Sequence, residues 1–256
     1  MHNLIKIKAT ASTNQWLKEQ SEKRALAEGT TVAAGFQTAG KGQRGNRWES
    51  EEGKNITCSM ILYPRFLPVK RQFLLSEAVA VGLKDAVEQY LQPVEIKWPN
   101  DIYYRDGKLA GILIENELTG QTLDKSIIGV GLNVNQEKFS DAAPKAVSIK
   151  QITGRETDLD VLLEQMVNAI WFRYNTLKNG NPELIVQAYH HSLYRKSGFH
   201  FFADKNGLFS AQTERVTDDG FLHLTTDAGE KRCYAFKEVS YEITNYGGSR
   251  LCAGAL

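Results

Sequence analysis

Apolar and polar positions along the chain read as strands first, helices later, and short strands again at the end. Residues 5–9 predict a strand, and Ser12-Thr13-Asn14 then offer small polar side chains suited to cap a short helix reaching about Gln20. Residues 30–36 and 55–63 predict two more strands, separated by a glycine-rich run over 37–46. Between Pro68 and Pro93, the residues Leu75, Val79, Leu83, Ala86, Val87 and Tyr90 recur every three or four positions, the pattern of a helix with one buried stripe. A short strand over 95–98, a hairpin turn at Arg105-Asp106-Gly107-Lys108 and strands over 109–118 and 126–135 come next. Asp158 is placed to cap a helix whose stripe is Leu162, Met166, Ile170, Tyr174 and Leu177; Asn179-Gly180 closes it, and Asn181-Pro182 opens another reaching about Tyr194. Strands before helices predict an α+β domain, over residues 1–195.

After Gly198 the texture changes. Five short apolar stretches, over 199–203, 208–216, 221–226, 231–236 and 239–243, are separated by turns at Asn206-Gly207, Asp219-Gly220 and Ala228-Gly229. That spacing predicts a small antiparallel β domain over 196–256, close to the lower size limit for independent stability. The composition is that of a globular chain, with 42% hydrophobic residues and a net charge of +1. Near-neutral charge excludes a global field for nucleic acid or acidic lipid and points to a small ligand. Three dispersed cysteines (Cys58, Cys233, Cys252) fit neither a disulfide framework nor metal spacing, and the start of the chain lacks a signal-peptide core, so a reducing cytoplasm is the expected setting, with no membrane span. His190-His191 has no Cys or carboxylate at ligand spacing, and no dedicated metal site is expected.

Two stretches carry candidate chemistry. In the first, Gln37-Thr38-Ala39-Gly40-Lys41-Gly42-Gln43-Arg44-Gly45-Asn46-Arg47-Trp48, glycines permit close backbone approach and Lys41, Arg44 and Arg47 can neutralise phosphate. A Walker A loop is nearly matched by Gly35, Gly40 and Lys41, but Gly42 stands where Ser or Thr should hold magnesium, and a strand follows where a helix is required. The second stretch is Lys97-Trp98-Pro99-Asn100-Asp101 with Gly107-Lys108-Leu109-Ala110-Gly111-Ile112 beyond it. Singly, these read equally well as a solvated basic loop, an Asx turn and surface lysines.

Together, and with Ser12-Thr13-Asn14 before them and Gly129-Val130-Gly131-Leu132-Asn133 after, they resemble the biotin protein ligase family in order and separation. The resemblance implies a mixed β-sheet catalytic domain with flanking helices and an SH3-like terminal barrel. It also implies ligation in two steps, in which biotin and ATP give biotinyl-5'-AMP and pyrophosphate and the biotinyl group then passes to a lysine of a biotin carboxyl carrier protein. By the same resemblance, Ser12, Thr13, Asn14 and Gln37 surround the ureido ring, and Gly40, Lys41, Gly42 and Gln43 form a mobile loop over biotin and the adenylate. Lys108 lies between the biotin carboxylate and the α-phosphate, and Gly111 and Leu113 line the tail pocket. Arg44, Asn46, Trp48, Lys97, Asn100 and Asn133 belong to the nucleotide side, and Asp101 faces the incoming lysine.

These roles make chemical sense. A carboxylate attacking a phosphate needs no base at neutral pH, but it must overcome repulsion between two anions, for which Lys108, Lys97 and magnesium brought by ATP, near Asn100, are the expected cations. The acceptor lysine must instead lose a proton, with Asp101 the expected base or electrostatic partner. The chain departs from the fullest family form at Lys41, Gln43 and Asn46, where arginines are usual, which predicts looser retention of the adenylate. The first catalytic strand begins near residue 4, which leaves no room for the N-terminal helix-turn-helix of some members, so sequence-specific DNA binding is not expected. A homodimer and carrier docking are both compatible with an exposed sheet edge. Arg250 could reach the nucleotide from the terminal domain but is not assigned to the site. The competing readings are a lipoate or octanoate ligase of the same fold, whose pocket lacks a ureido-reading polar cluster, and a non-catalytic nucleotide- or RNA-binding module built on Lys41, Arg44, Arg47 and Trp48.

Overall fold

The computed structural model of the protein describes residues 3–242. In chain order the first half contains β1 (Leu4–Thr10), α1 (Thr13–Lys23), β2 (Thr31–Gln37), β3 (Ile56–Leu62), α2 (Phe73–Val87), β4 (Glu95–Lys97), β5 (Asp101–Tyr104), β6 (Gly107–Thr119) and β7 (Thr122–Leu132). The helices α3 (Ile149–Thr153), α4 (Leu159–Lys178) and α5 (Pro182–His191) follow, and then β8 (His200–Asp204), β9 (Gly207–Val216), β10 (Leu222–Thr226), β11 (Lys231–Tyr234) and β12 (Ser240–Tyr241). The chain divides into two compact units, one containing residues up to Tyr194 with Asp218–Gly220, the other containing Arg195–Thr217 and the described residues from Phe221 onward.

In the first unit, seven strands form one sheet in the order β1-β2-β3-β7-β6-β5-β4. β1 and β2 are parallel, as a crossover through α1 requires, and every other pair is antiparallel, so the sheet is mixed. The register aligns Ile7, Ala34, Thr57, Gly131, Gly111, Asp101 and Lys97 in one row across a single face. Ile5, Val32, Ser59, Gly129 and Leu113 make the adjacent row. On the β1–β3 side this face is covered by α1, where Leu17 packs with Val32, Ile61 and Ile127. Toward β6 the apolar side chains give way to glycines, and there the face stays low. β6 continues past β5, and among the described residues its ladder beyond Ile112 is with β7 alone.

In the second unit, five antiparallel strands run in the order β11-β10-β9-β8-β12 around buried Phe202, Ala211, Leu222 and Leu224. The α+β class and the strand-rich terminal region follow the sequence pattern. Two features do not. α2 is buried on almost every side rather than along one stripe, because α4 and α5 both pack on it. β5 and α3 carry no independent signal, being only four and five residues long. The last strand is described only to Tyr241, so Ile243 of the expected strand lies outside the described residues, as do Arg250 and Cys252. Among the described residues no helix is long and apolar enough to cross a membrane.

Candidate active site

Ser12 occupies the position preceding α1 in extended conformation, but its side chain does not cap the helix. The end of β2 supplies that function: Thr13 donates its backbone N–H (2.8 Å) to Gln37 Oε1, with its hydroxyl 3.1 Å from the same oxygen. The Ser59 hydroxyl on β3 lies 2.7 Å from Thr13 Oγ1 and 2.6 Å from Asn14 Oδ1. Asn14 Nδ2 in turn donates to Glu115 Oε2 on β6 at 2.6 Å. A side chain at Gly129 would collide with Asn14 Oδ1, so the glycine is what lets this amide lie on the sheet. Thus Thr13, Asn14 and Gln37 form one hydrogen-bonded cluster with Ser59 and Glu115, neither of which the sequence singled out. Ser59 is hidden in a strand whose burial pattern is uniform, and Glu115 reads as the polar member of an alternation.

One row along the sheet, the Trp48 indole lies on the paired glycines Gly131 and Gly111; a Cβ at Gly131 would clash with the ring at 2.2 Å, and one at Gly111 would come within 3.2 Å of it. The indole N–H is buried without a partner. Lys108 Nζ sits 5.8 Å from the centre of the same ring and 2.7 Å from Asp101 Oδ1, an ion-pair contact that lacks hydrogen-bond alignment. The Lys108 backbone is clamped on both sides: its N–H donates to Lys145 O (2.6 Å) and its carbonyl accepts from Val147 N (3.0 Å). Asn133, placed by the sequence on the nucleotide side, is buried, with its amide 3.4 Å from the Lys108 carbonyl.

The glycine-rich loop is a miniature hairpin. Trp48 N–H donates to Gly40 O (3.0 Å) and Gly42 N–H to Asn46 O (2.7 Å), around a single 3-10 turn, Gln43–Gly45, that contains Arg44. Gly40 is obligatory because a Cβ would overlap the Trp48 carbonyl oxygen. Lys41, Asn46 and Arg47 are exposed, whereas Gln43 turns inward: its Oε1 is buried without a partner, beside a cavity of about 190 Å³ that Asn100, Ile112 and Phe73 also line. Asn100 donates its amide to Ile112 O at 2.7 Å. Lys97 points along β5, its Nζ 4.5 Å above the Tyr103 ring and 3.1 Å from the Tyr103 hydroxyl. Burial, with the charge of Asp101 adding to it, pushes that hydroxyl above its ordinary range and keeps it neutral. Leu113, beside Gly129 in the register, completes the strip between the two clusters. Among the described residues no three His, Cys, Asp or Glu side chains gather as a metal site.

Residues 7–133 match the biotin/lipoate A/B protein ligase family. The bifunctional ligase/repressor BirA of Bacillus subtilis (strain 168) is 32% identical over 216 residues, covering 81% of this chain and 65% of that protein. The biotin–[acetyl-CoA-carboxylase] ligase of Mycobacterium tuberculosis is 32% identical over 179 residues, 68% of this chain and 65% of that protein. The chain therefore spans about 65% of the length of these curated relatives. Among solved structures, the biotin protein ligase from Aquifex aeolicus in complex with biotin and ATP superposes with a TM-score of 0.78 at 24% identity, covering 95% of this chain and 100% of that chain. The biotin protein ligase from Leishmania major in complex with biotinyl-5-AMP gives 0.62 at 21% identity, covering 91% and 98%. Both share the fold.

Proposed function

Because the chain belongs to the biotin/lipoate A/B protein ligase family, we propose that it is an ATP-dependent biotin–protein ligase that forms biotinyl-5'-AMP and transfers biotin to a lysine of a biotin carboxyl carrier protein. The observation that carries this reading is the placement of Lys108. Its ammonium group stands over the glycine strip, beside Asp101, one row along from the Thr13–Asn14–Gln37 cluster. Two residues along a strand span about 7 Å, so an acid held by its polar ring at that cluster would extend its chain along Leu113 toward Lys108.

In the first step a biotin carboxylate oxygen attacks the α-phosphorus of ATP; the new O–P bond forms as the bond to pyrophosphate breaks, and pyrophosphate leaves. No base is needed, since the acid is already ionised. Lys108 offsets the repulsion between the anions and the charge gathering on the phosphoryl oxygens. A magnesium ion brought with the nucleotide would have Asn100 as its candidate protein ligand and would supply positive charge beside the phosphates. In the second step the acceptor ammonium gives a proton to Asp101, its nitrogen bonds to the acyl carbon, and the acyl–oxygen bond to AMP breaks, AMP leaving as the phosphate anion. Asp101, released from Lys108 as that ammonium turns to phosphate, is free to hold the incoming lysine. The hairpin over 40–48 would shield the mixed anhydride from water. The lipoate reading is less well supported, because the Thr13–Asn14–Gln37–Ser59 cluster presents hydrogen-bonding groups that a dithiolane or alkyl chain cannot use.

ATP–pyrophosphate exchange tests the assignment: stimulation by biotin is expected, and stimulation by lipoate or octanoate alone would overturn it. Lys108→Ala should lower the exchange rate by about 10²-fold or more while leaving the melting temperature close to that of the parent, and near-parental exchange would remove Lys108 from the mechanism. With preformed adenylate and a biotin carrier domain supplied, Asp101→Ala should lose more in transfer than in exchange; equal losses would argue against its role in the second step.

A further inference from the structure

We propose that the cavity beside Gln43 is the entry channel for the acceptor lysine, taken up as an alkylammonium; this rests on the ligase reading above. Burial is graded along it. On β6, Asn116 is exposed, Ile114 half-buried and Ile112 buried, and all three line the cavity from the face opposite Gly111 and Leu113. Asp219, also exposed, stands at the outer end. At the inner end are Ile112, next in the chain to Gly111, and Asn100, next to Asp101. The ladder between β5 and β6 ends at the Asp101–Gly111 pair, so the edge of β6 is uncovered here, and Gln43, from the hairpin over the strip, reaches round that edge into the cavity.

The lining suits a cation on an apolar stem. Asn100 gives its Nδ2 to the Ile112 carbonyl at 2.7 Å, which leaves Oδ1 as an acceptor, and Gln43 Oε1 is buried without a partner. Among the described residues Asp219 is the one charged side chain of the lining. An ammonium donates three hydrogen bonds and accepts none, whereas an anion would be repelled at the mouth. Phe73, Ile112 and Ile114 offer apolar surface to methylenes. A void of about 150 Å³ admits a benzene ring, so one of about 190 Å³ has room for an unbranched butylammonium chain. Asp219 is fixed through its neighbours: the Phe73 N–H donates to Asp218 O and the Trp98 indole N–H to Gly220 O, each at 3.0 Å, while Asp218 itself pairs with Arg71 at 2.6 Å. The Asp219 carboxylate draws the ammonium in, the inner acceptors hold it, and Asp101 takes its proton as the nitrogen bonds to the acyl carbon.

Two variants of the full chain, neither in the adenylation machinery, test this. Asp219→Asn should raise KM for a biotin carrier domain by about three- to tenfold, and Ile114→Trp, which fills the cavity, should lower transfer at subsaturating carrier by about tenfold, while biotin-stimulated ATP–pyrophosphate exchange stays within about twofold of the parent. With n-butylamine in place of the carrier, the parent holding biotinyl-adenylate should form the butylamide faster than adenylate free in buffer does, and both variants should lose that advantage. The small amine lacks a carrier surface, so a defect seen with the carrier alone would make Asp219 a docking contact and overturn the proposal. Exchange that falls in step with transfer in Asp219→Asn, unchanged transfer in that variant, or butylamide forming no faster on the parent than in buffer would also overturn it. Should Ile114→Trp fail to fold, Asp219→Asn, at an exposed position, decides alone. A parent without biotin-stimulated exchange would instead sink the ligase reading on which the channel rests.

Discussion

At the scale of single residues, the site is defined as much by missing side chains as by present ones. Gly129 and Gly131 matter because a Cβ would strike Asn14 or Trp48, a constraint of contact and not of backbone angle. Gly131→Ala should therefore displace the indole, weaken biotin binding by about tenfold and shift tryptophan fluorescence, with little effect on melting temperature; parental affinity would show that the strip is not the ligand floor. The sequence pointed to Thr13, Asn14, Gln37, Asp101 and Lys108 through their motif. It could not reveal that Ser59 and Glu115 join two of them, Thr13 and Asn14, because those contacts span 45 to 101 positions. Cys58, which nothing in the sequence recommended as a nucleophile, is buried in β3, and desolvation pushes its thiol up to about 12.

At the scale of elements, α2 shows what burial on every side does to a charged residue. Glu77 is 1% exposed with an unpartnered Oε2; burial, reinforced by the charge of Asp218, pushes its carboxyl up to about 8 from an ordinary 4.5. The folded state therefore holds the proton more tightly than the unfolded one. This contribution is fully present below pH 4.5 and is lost as pH rises through 8, at up to about 1.4 kcal/mol per pH unit. Glu77→Gln should remove that slope, so urea denaturation should show the variant gaining on the parent between pH 5 and 8; a constant difference would refute it. Elsewhere, local signals sufficed to build elements. Asp158 caps α4 by accepting from Asp160 and Val161 N–H as its position suggested; the capping box of Ser148 with Gln151 starts α3, an element the sequence pattern did not predict.

At the scale of the whole chain, contacts between distant segments decide which elements become one unit. Glu28 illustrates this, since it accepts from the Tyr63 backbone at the end of β3 and from Tyr174 and Lys178 on α4, tying sheet to helix. Burial alone would raise its carboxyl, yet these hydrogen bonds together hold it below the ordinary range. The sequence by itself determined most of the elements, the α+β class, the strand-rich character of the terminal region and the motif residues, because side-chain periods of two and 3.6, caps and turns are local properties. Only the tertiary structure decided strand order and register. These placed Gly111 beside Gly131, turned Gln37 back onto Thr13 and swung Lys97 onto Tyr103. Ladder hydrogen bonds join backbone groups that are chemically alike at every residue, so no local pattern encodes which partners they choose; that choice belongs to the packing of the whole.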